Sequence, residues 1–440
     1  MSPVSGWREN LRAVYMFAFM FVALAVVGVF QSWSLALAIL NLCLISAVMS
    51  LGVNIQWGYA GLFNIGIMGF AALGGVTAVL VSIAPVPAAW EAGGFGVIVA
   101  LAISLATILA AVFVARRAPA GIPRKVLLAF IIIGGFFLAR AFFFPAVEAI
   151  EAVDPTIAGF LGGLGLPILL SWVAGGLLAA AVAWVIGKIA LGLRTDYLAI
   201  ATLGISEIII AVLKNEDWLA RGVKNVSGLP RPVPYEVDLQ QTLWFQDWAA
   251  RLGVSPVEIS SIFVKLCYAG LFAIVLLVVL WLSERALHSP WGRMMRAIRD
   301  NEIAASAMGK DITGRHLQVF VLGSAVVGVA GAMLTTLDGQ FTPASYQPLR
   351  FTFIIWVMVI VGGSGNNWGA VLGGFVIWFF WIEAEPIGLW LMDLLTSGLA
   401  QDSPIRRHLM ESAAHMRLMI MGVILLLVLR FSPRGLIPER

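Results

Sequence analysis

Charge is what this chain has least of. Only 12% of its 440 residues are Asp, Glu, Lys or Arg, where soluble domains carry about 25%. That scarcity excludes a cytosolic enzyme, a disordered chain and a nucleic-acid binder. Cysteine is nearly absent too. Cys43 and Cys267 are the whole complement, both lie inside apolar runs, and they make neither a disulfide framework nor a metal-ligand spacing. The four histidines, His288, His316, His408 and His415, fall at the ends of apolar runs or between them, with no metal site among them. No GxxxxGK[ST] loop occurs, so the chain binds no nucleotide by a P-loop. HExxH, GxSxG and CxxC are missing as well, which leaves no visible catalytic apparatus. The chain is therefore not expected to be an enzyme or to hold a cofactor or metal.

What the sequence does have is apolar length. Hydrophobic residues make up 60% of it, and the mean hydropathy is +0.95. The runs are continuous rather than alternating, which argues for membrane helices over a barrel. Runs near 13–30, 34–55, 62–84, 95–115, 126–144, 166–187, 197–213, 262–282, 316–337, 351–365, 368–382 and 413–430 predict an all-α, polytopic transmembrane bundle of about 10–12 spans in one domain, 1–440. The tenth and eleventh runs are short and read as separate spans or as one broken, re-entrant pair. With the N-terminus inside, the inner segments collect more than half of the 28 basic residues, among them Arg8, Arg12, Arg116, Arg124, Arg293, Arg315 and Arg440. The outer segment 145–165 has three acids and no Lys or Arg. Both termini are thus expected on the cytoplasmic side, and the net charge of +4 is that bias, not an acidic partner.

Two hydrophilic segments interrupt the pattern. The outer one, 214–261, carries Pro230, Pro232, Pro234 and Pro256 with Trp218, Tyr235, Trp244 and Trp248. It reads as a periplasmic loop lying at the interface, or as a docking surface. The inner one, 283–316, predicts an amphipathic helix over 291–308, opened by Pro290 and stopped by Gly309. That helix either lies on the membrane or seats in a groove of a cytoplasmic partner.

Three stretches taken in order carry a resemblance. They are GYAGLFNIGIMGFAALGG (58–75), LRTDYLAIATLGISEIIIAVLKN (193–215) with GVKNVSGLPRP after it, and SPWGRMMRAIRDNEIAASAMGKDI (289–312) with VIVGGSGNNWGAVLGG (359–374) downstream. Together they resemble the Liv-type permease subunits of ATP-binding-cassette (ABC) importers for branched-chain amino acids, the M-type half in particular. Permeases of urea and short-chain amide importers are the nearest alternative, and an ion-coupled secondary transporter is a remoter one. The resemblance implies a bacterial inner-membrane subunit working with a second permease, two cytoplasmic ATPase subunits that carry ATP and Mg, and a periplasmic binding protein. In such importers the ATPase contacts an inner loop of EAA-xxx-G pattern. The matching stretch here is Ile303-Ala304-Ala305-Ser306-Ala307-Met308-Gly309, with Glu302 one position earlier than the pattern's acid. Arg296, Arg299, Glu302, Ala304, Ala305 and Gly309 are accordingly the candidate ATPase-coupling residues.

For the translocation pathway the candidates are Asn54, Gln56, Gly61, Asn64 and Glu207. The glycines of 58–75 suit close helix packing, and equally a broken helix whose freed polar groups line a path. Glu207 sits mid-run, where a carboxylate is costly and suspect. It faces the pathway, binds a substrate ammonium, or pairs with Lys188 or Arg194. Asn366 and Asn367 read as turn residues within reach of a partner ATPase.

Overall fold

In a computed structural model, residues 3–154, 158–398, 403–412 and 415–439 are described, without the side chains of 3–10 and 405; the predicted inner residue Arg440 and the side chain of Arg8 lie outside this set. The described chain is overwhelmingly helical. The long elements are α1 (Pro3–Phe30), α2 (Trp33–Ala60), α3 (Ile67–Ser82), α4 (Pro87–Arg117), α5 (Ile122–Glu151), α6 (Leu169–Ala190) and α7 (Thr195–Asn215). They continue with α8 (Pro256–His288), two short helices α9 (Pro290–Asp300) and α10 (Glu302–Ala307), then α11 (Ile312–Asp338), α12 (Pro348–Gly362), α13 (Asn367–Leu395) and α14 (Met416–Phe431). Among the described residues nine helices are long and apolar enough to cross a membrane. The apolar helices α3 and α12 are shorter, and α14 reaches span length only with Arg406–Ser412, from which it is bent by 63°.

Local chemistry sets the boundaries. Ser32 caps α2 through its hydroxyl, which accepts from Leu35 N at 3.1 Å. Ser255 caps α8 and Ser289 caps α9, each followed by a proline at the first helical position, where no N–H is missed. The expected single helix over 291–308 is in fact two. Asn301 breaks it, and its side chain accepts from Ala304 N at 2.9 Å to start α10 afresh. Gly309 ends the segment with φ +74°, as its position predicts.

Two further boundaries differ from expectation. The eleventh span does not stop at 382 but runs to Leu395. The acids just past that point have partners within the protein. Glu383 is buried and accepts from Gln31 Nε2 at 2.8 Å, and Glu385 pairs with Arg417 at 2.8 Å. It is therefore a full helix, antiparallel to the shorter α12, rather than half of a re-entrant pair. The segment 214–261 is not a plain loop. It contains short helices at Asp217–Ala220, Glu236–Gln241 and Leu243–Leu252, and Val226–Ser227 forms a small antiparallel pair with Gln340–Phe341.

The core is built around α2, which packs against α8, α11 and α13. In lipid there is little hydrophobic force between helices, so close approach and polar contacts do the joining. At Gly74, an added Cβ would stand 1.8 Å from the carbonyl oxygen of Gly328, so α3 and α11 touch backbone to backbone. The hairpin α4–α5 is peripheral. It meets the rest mainly at its α4-start, α5-end tip, where Trp90 Nε1 donates to Leu161 O at 3.0 Å and Phe143 packs edge-on to Trp218. The two ends of the chain share one face, since Arg12 Nη2 donates to Ser432 Oγ at 3.0 Å. The α9–α10 segment lies on that same face.

Candidate functional site

The site grows from the interruption between α2 and α3. Gly61 ends α2 in the left-handed region, φ +68°, where a side chain would be strained. Residues 61–66 then run without regular structure. Every candidate amide nearby is engaged inside the protein. Gln56 Nε2 donates to Phe320 O at 3.0 Å and Ser324 Oγ at 3.1 Å, tying α2 to α11. Its Oε1 accepts from Asn64 Nδ2 at 2.9 Å, and Asn64 Oδ1 accepts from Gly66 N at 2.8 Å. Thr202 of α7 takes the Ile65 N–H at 3.1 Å, and Asn64 O accepts from Trp356 Nε1 at 3.0 Å. Freed backbone groups of the break are thus satisfied by side chains of α7 and α12 and by Asn64 itself.

Next to it lies a second polar knot at the turn between α12 and α13. Asn54 Oδ1 accepts from Gly365 N at 2.8 Å, while its Nδ2 donates to Asn367 Oδ1 at 3.2 Å. The Tyr59 hydroxyl donates to the same Asn367 oxygen. Asn367 Nδ2 donates to Glu284 Oε1 at 3.0 Å, drawing in the end of α8. Asn366 caps α13, accepting from Trp368 N at 3.0 Å and Gly369 N at 3.2 Å, and donates to Pro438 O at 3.0 Å. These two asparagines hold the protein's own turn. Gly58 makes the approach possible. A Cβ there would come within 2.2 Å of Asn54 Oδ1 and 2.5 Å of Gly365 N.

Arg299 of α9 closes both breaks. Its guanidinium donates to the Gly58 carbonyl and pairs with Glu439 at 2.9 Å and Asp300 at 3.2 Å. Burial opposes its charge, but the two carboxylates outweigh burial and raise its pKa above the usual arginine value. The other coupling candidates divide. Arg296 is half-buried and faces a groove beside α1. Ala305 is buried and seats α10 on the chain. Glu302, Ala304 and Gly309 are exposed, and so are Ile303 at 84% and Met308 at 78%. The segment therefore turns a small apolar surface outward while Arg299, Met295 and Ile298 fix it from behind.

Glu207 is apart from all of this. The buried face of α7 is Leu198, Ala199, Thr202, Ser206, Ile210 and Leu213. Glu207 lies on the opposite face, exposed, in line with Tyr197, Ile200, Gly204 and Ala211, and among the described residues it forms no ion pair with Lys188 or Arg194. On the face away from α9, a cavity of about 250 Å³ lies among α2, α3, α11, α12 and α13. Met49, Met68, Ile355 and Met358 line it, with Thr335, Asp338 and Tyr346 at its polar end. Burial pushes the Tyr346 phenol up, and Thr335 shares a hydrogen bond with it at 2.8 Å.

A bundle of broken and closely packed membrane helices, capped on one face by an amphipathic segment, is the architecture of a transport subunit. The family model for the permease component of branched-chain amino acid transport systems matches residues 149–429. The chain belongs to this permease family. The permease is 26% identical over 269 residues to the Escherichia coli high-affinity branched-chain amino acid transport system permease protein LivM, covering 60% of this chain and 56% of that one. It thus spans little more than half the length of that relative. A probable LivM of Methanocaldococcus jannaschii is 27% identical over 75% of this chain and 84% of its own length. A probable LivH of the same organism is 30% identical, over 24% of this chain and 32% of its own. No solved structure matches. The permease is a multi-pass membrane protein.

Sequence reasoning missed three members of the junction at the α12–α13 turn: Tyr59, Glu284 and Glu439. Glu284 had a readable signal, an acid at the end of a long apolar run. Glu439 had none, because its partner Arg299 is remote in the chain.

Proposed function

We propose that this permease is the inner-membrane subunit of an ABC importer that moves branched-chain or related amino acids delivered by a periplasmic binding protein. The observation that carries the reading is the α9–α10 segment. It is anchored through Arg299 to both helix breaks and presents Ile303, Met308, Ala304 and Glu302 outward. A rigid, apolar-tipped lever on the inner ends of the spans is what an ATPase needs to transmit movement, with Glu302 setting register by charge. Two cytoplasmic ATPase subunits carrying ATP and Mg engage it there, which puts that face and both termini in the cytoplasm and the 214–261 segment in the periplasm.

A second permease subunit covers the exposed face of α7. Glu207 in contact with lipid would be expensive, whereas small Gly204 and Ala211 on either side of it permit close helix approach. The path then runs between the two permeases, with Glu207 on it, while Asn54, Gln56, Gly61 and Asn64 support its wall from behind. Substrate class follows from the relatives' names, and few charges inside the bundle suit an apolar side chain.

A mild-detergent pulldown of the full chain, with partners identified by mass spectrometry, tests this. Recovery of a second permease and an ATPase is expected, with the ATPase lost and the second permease kept in Ile303→Asp. Recovery of the chain alone, still transporting after reconstitution without ATP, overturns it.

A further inference from the structure

A groove of about 1100 Å³ runs along α1. Its walls are Phe17, Met20 and Leu24 of α1, Leu40 of α2 and Phe375 of α13. From Ala13 to Leu24 the groove follows twelve residues of helix, about 16 Å. That is close to half of a hydrocarbon core of about 30 Å, the depth of one leaflet. Such a slot at membrane depth is poorly suited to water, because its walls offer almost no hydrogen-bond partners.

One end is different. On the α9 side the groove is closed by Arg296, Glu284, His288 and Glu439, with Trp368 beside them. Trp368 is half-exposed and stacks edge-on to Phe17, the placement of an indole at a headgroup boundary. Arg296 differs from its neighbour Arg299. It makes no hydrogen bond or ion pair with any described residue, although it is only partly exposed. A guanidinium so placed matches a phosphate, whose oxygens it can take in pairs. The carboxylates of Glu284 and Glu439 stand at the same end and suit an ammonium with N–H donors.

We infer that the groove holds one phospholipid from the leaflet on the α9 side, with a headgroup carrying both a phosphate and a primary ammonium. The phosphate sits on Arg296, the ammonium on Glu284 and Glu439, and an acyl chain lies along Phe17, Met20 and Leu24. An anionic headgroup without the ammonium would set a further negative charge against two carboxylates. The bound lipid joins α1 to α9 and so fills the gap in a contact that the protein does not make for itself.

The test is native mass spectrometry of the purified, delipidated full chain with added dioleoyl phosphatidylethanolamine, phosphatidylglycerol or phosphatidylcholine. One phosphatidylethanolamine per chain is expected, retained at least fivefold more than either of the others. Arg296→Gln should lower retention of all three lipids, and Glu284→Gln should abolish the preference among them. Ala18→Trp, mid-groove on the exposed side of α1, should abolish retention, and Val14→Trp repeats the test nearer the polar end. Equal retention of all three lipids overturns the inference. So does retention unaffected by filling the groove with tryptophan, or recovery of a protein segment occupying it. None of these outcomes depends on transport or on ATPase recovery.

Discussion

The helix α2 and the hairpin α4–α5 are almost equally apolar, with mean window hydropathies of 2.3 against 2.9 and 2.4, yet 78% of the α2 window is buried and only 11% and 6% of the hairpin's. Apolarity therefore says nothing about which helix is central. Side-chain kind does. The α2 helix carries Asn41, Ser46, Ser50, Asn54 and Gln56, all buried. The α5 helix carries Phe130, Phe136, Phe137 and Phe144 exposed on its surface. In a bilayer the large apolar side chain is content in lipid, and the polar or small one must find protein. The polar residues of a membrane helix thus map the inside of the bundle, the reverse of the rule for a soluble core.

Substitutions at the two places should break or sharpen that contrast. The largest effect is expected from Asn367→Leu. It strands Asn54, Tyr59 and Glu284 together, and thermal unfolding in detergent should show a loss of about 3 kcal/mol. Equal stability to the unchanged chain would refute the junction. Gly74→Ala comes next, at about 2 kcal/mol, because neither backbone at the α3–α11 contact can yield a side chain's width; the same assay reads it. Arg299→Ala should cost about 1 kcal/mol, since the pair is partly solvated, but should weaken ATPase copurification more than its stability effect implies. Glu207→Gln is expected to leave stability within about 0.5 kcal/mol while reducing uptake in the reconstituted complex by more than half. At the far end of the scale, Phe137→Ala in the hairpin should also fall within about 0.5 kcal/mol. A loss like that of Asn367→Leu would mean that the hairpin is buried in the assembly.

Much of this was legible before any coordinates. Continuous apolar runs located the twelve long apolar helices among the described residues, and Pro290 and Gly309 marked the start and stop of the segment between α8 and α11. Two kinds of information were not local. Whether a helix goes on past an apolar run depends on the partners of its acids, so the run read as ending near 382 continues to Leu395, with Glu383 held by Gln31 and Glu385 by Arg417. Which partners an amide side chain finds depends on packing, so the sequence nominated Asn54, Gln56 and Asn64 for a pathway without showing the hydrogen bonds that each makes inside the protein. Asn301 was overlooked as a break because a helical pattern of apolar residues continues across it.

Glu439 and Arg299 are 439 − 299 = 140 residues apart, and their ion pair of 2.9 Å has a consequence for the order of assembly. During synthesis at roughly 5–20 residues per second, Arg299 is made roughly 7–28 s before its carboxylate partner exists. The α9–α10 segment is complete in sequence but lacks its last tether throughout that interval. Its final seating is thus a timed event, coming after the spans between the two residues have been made.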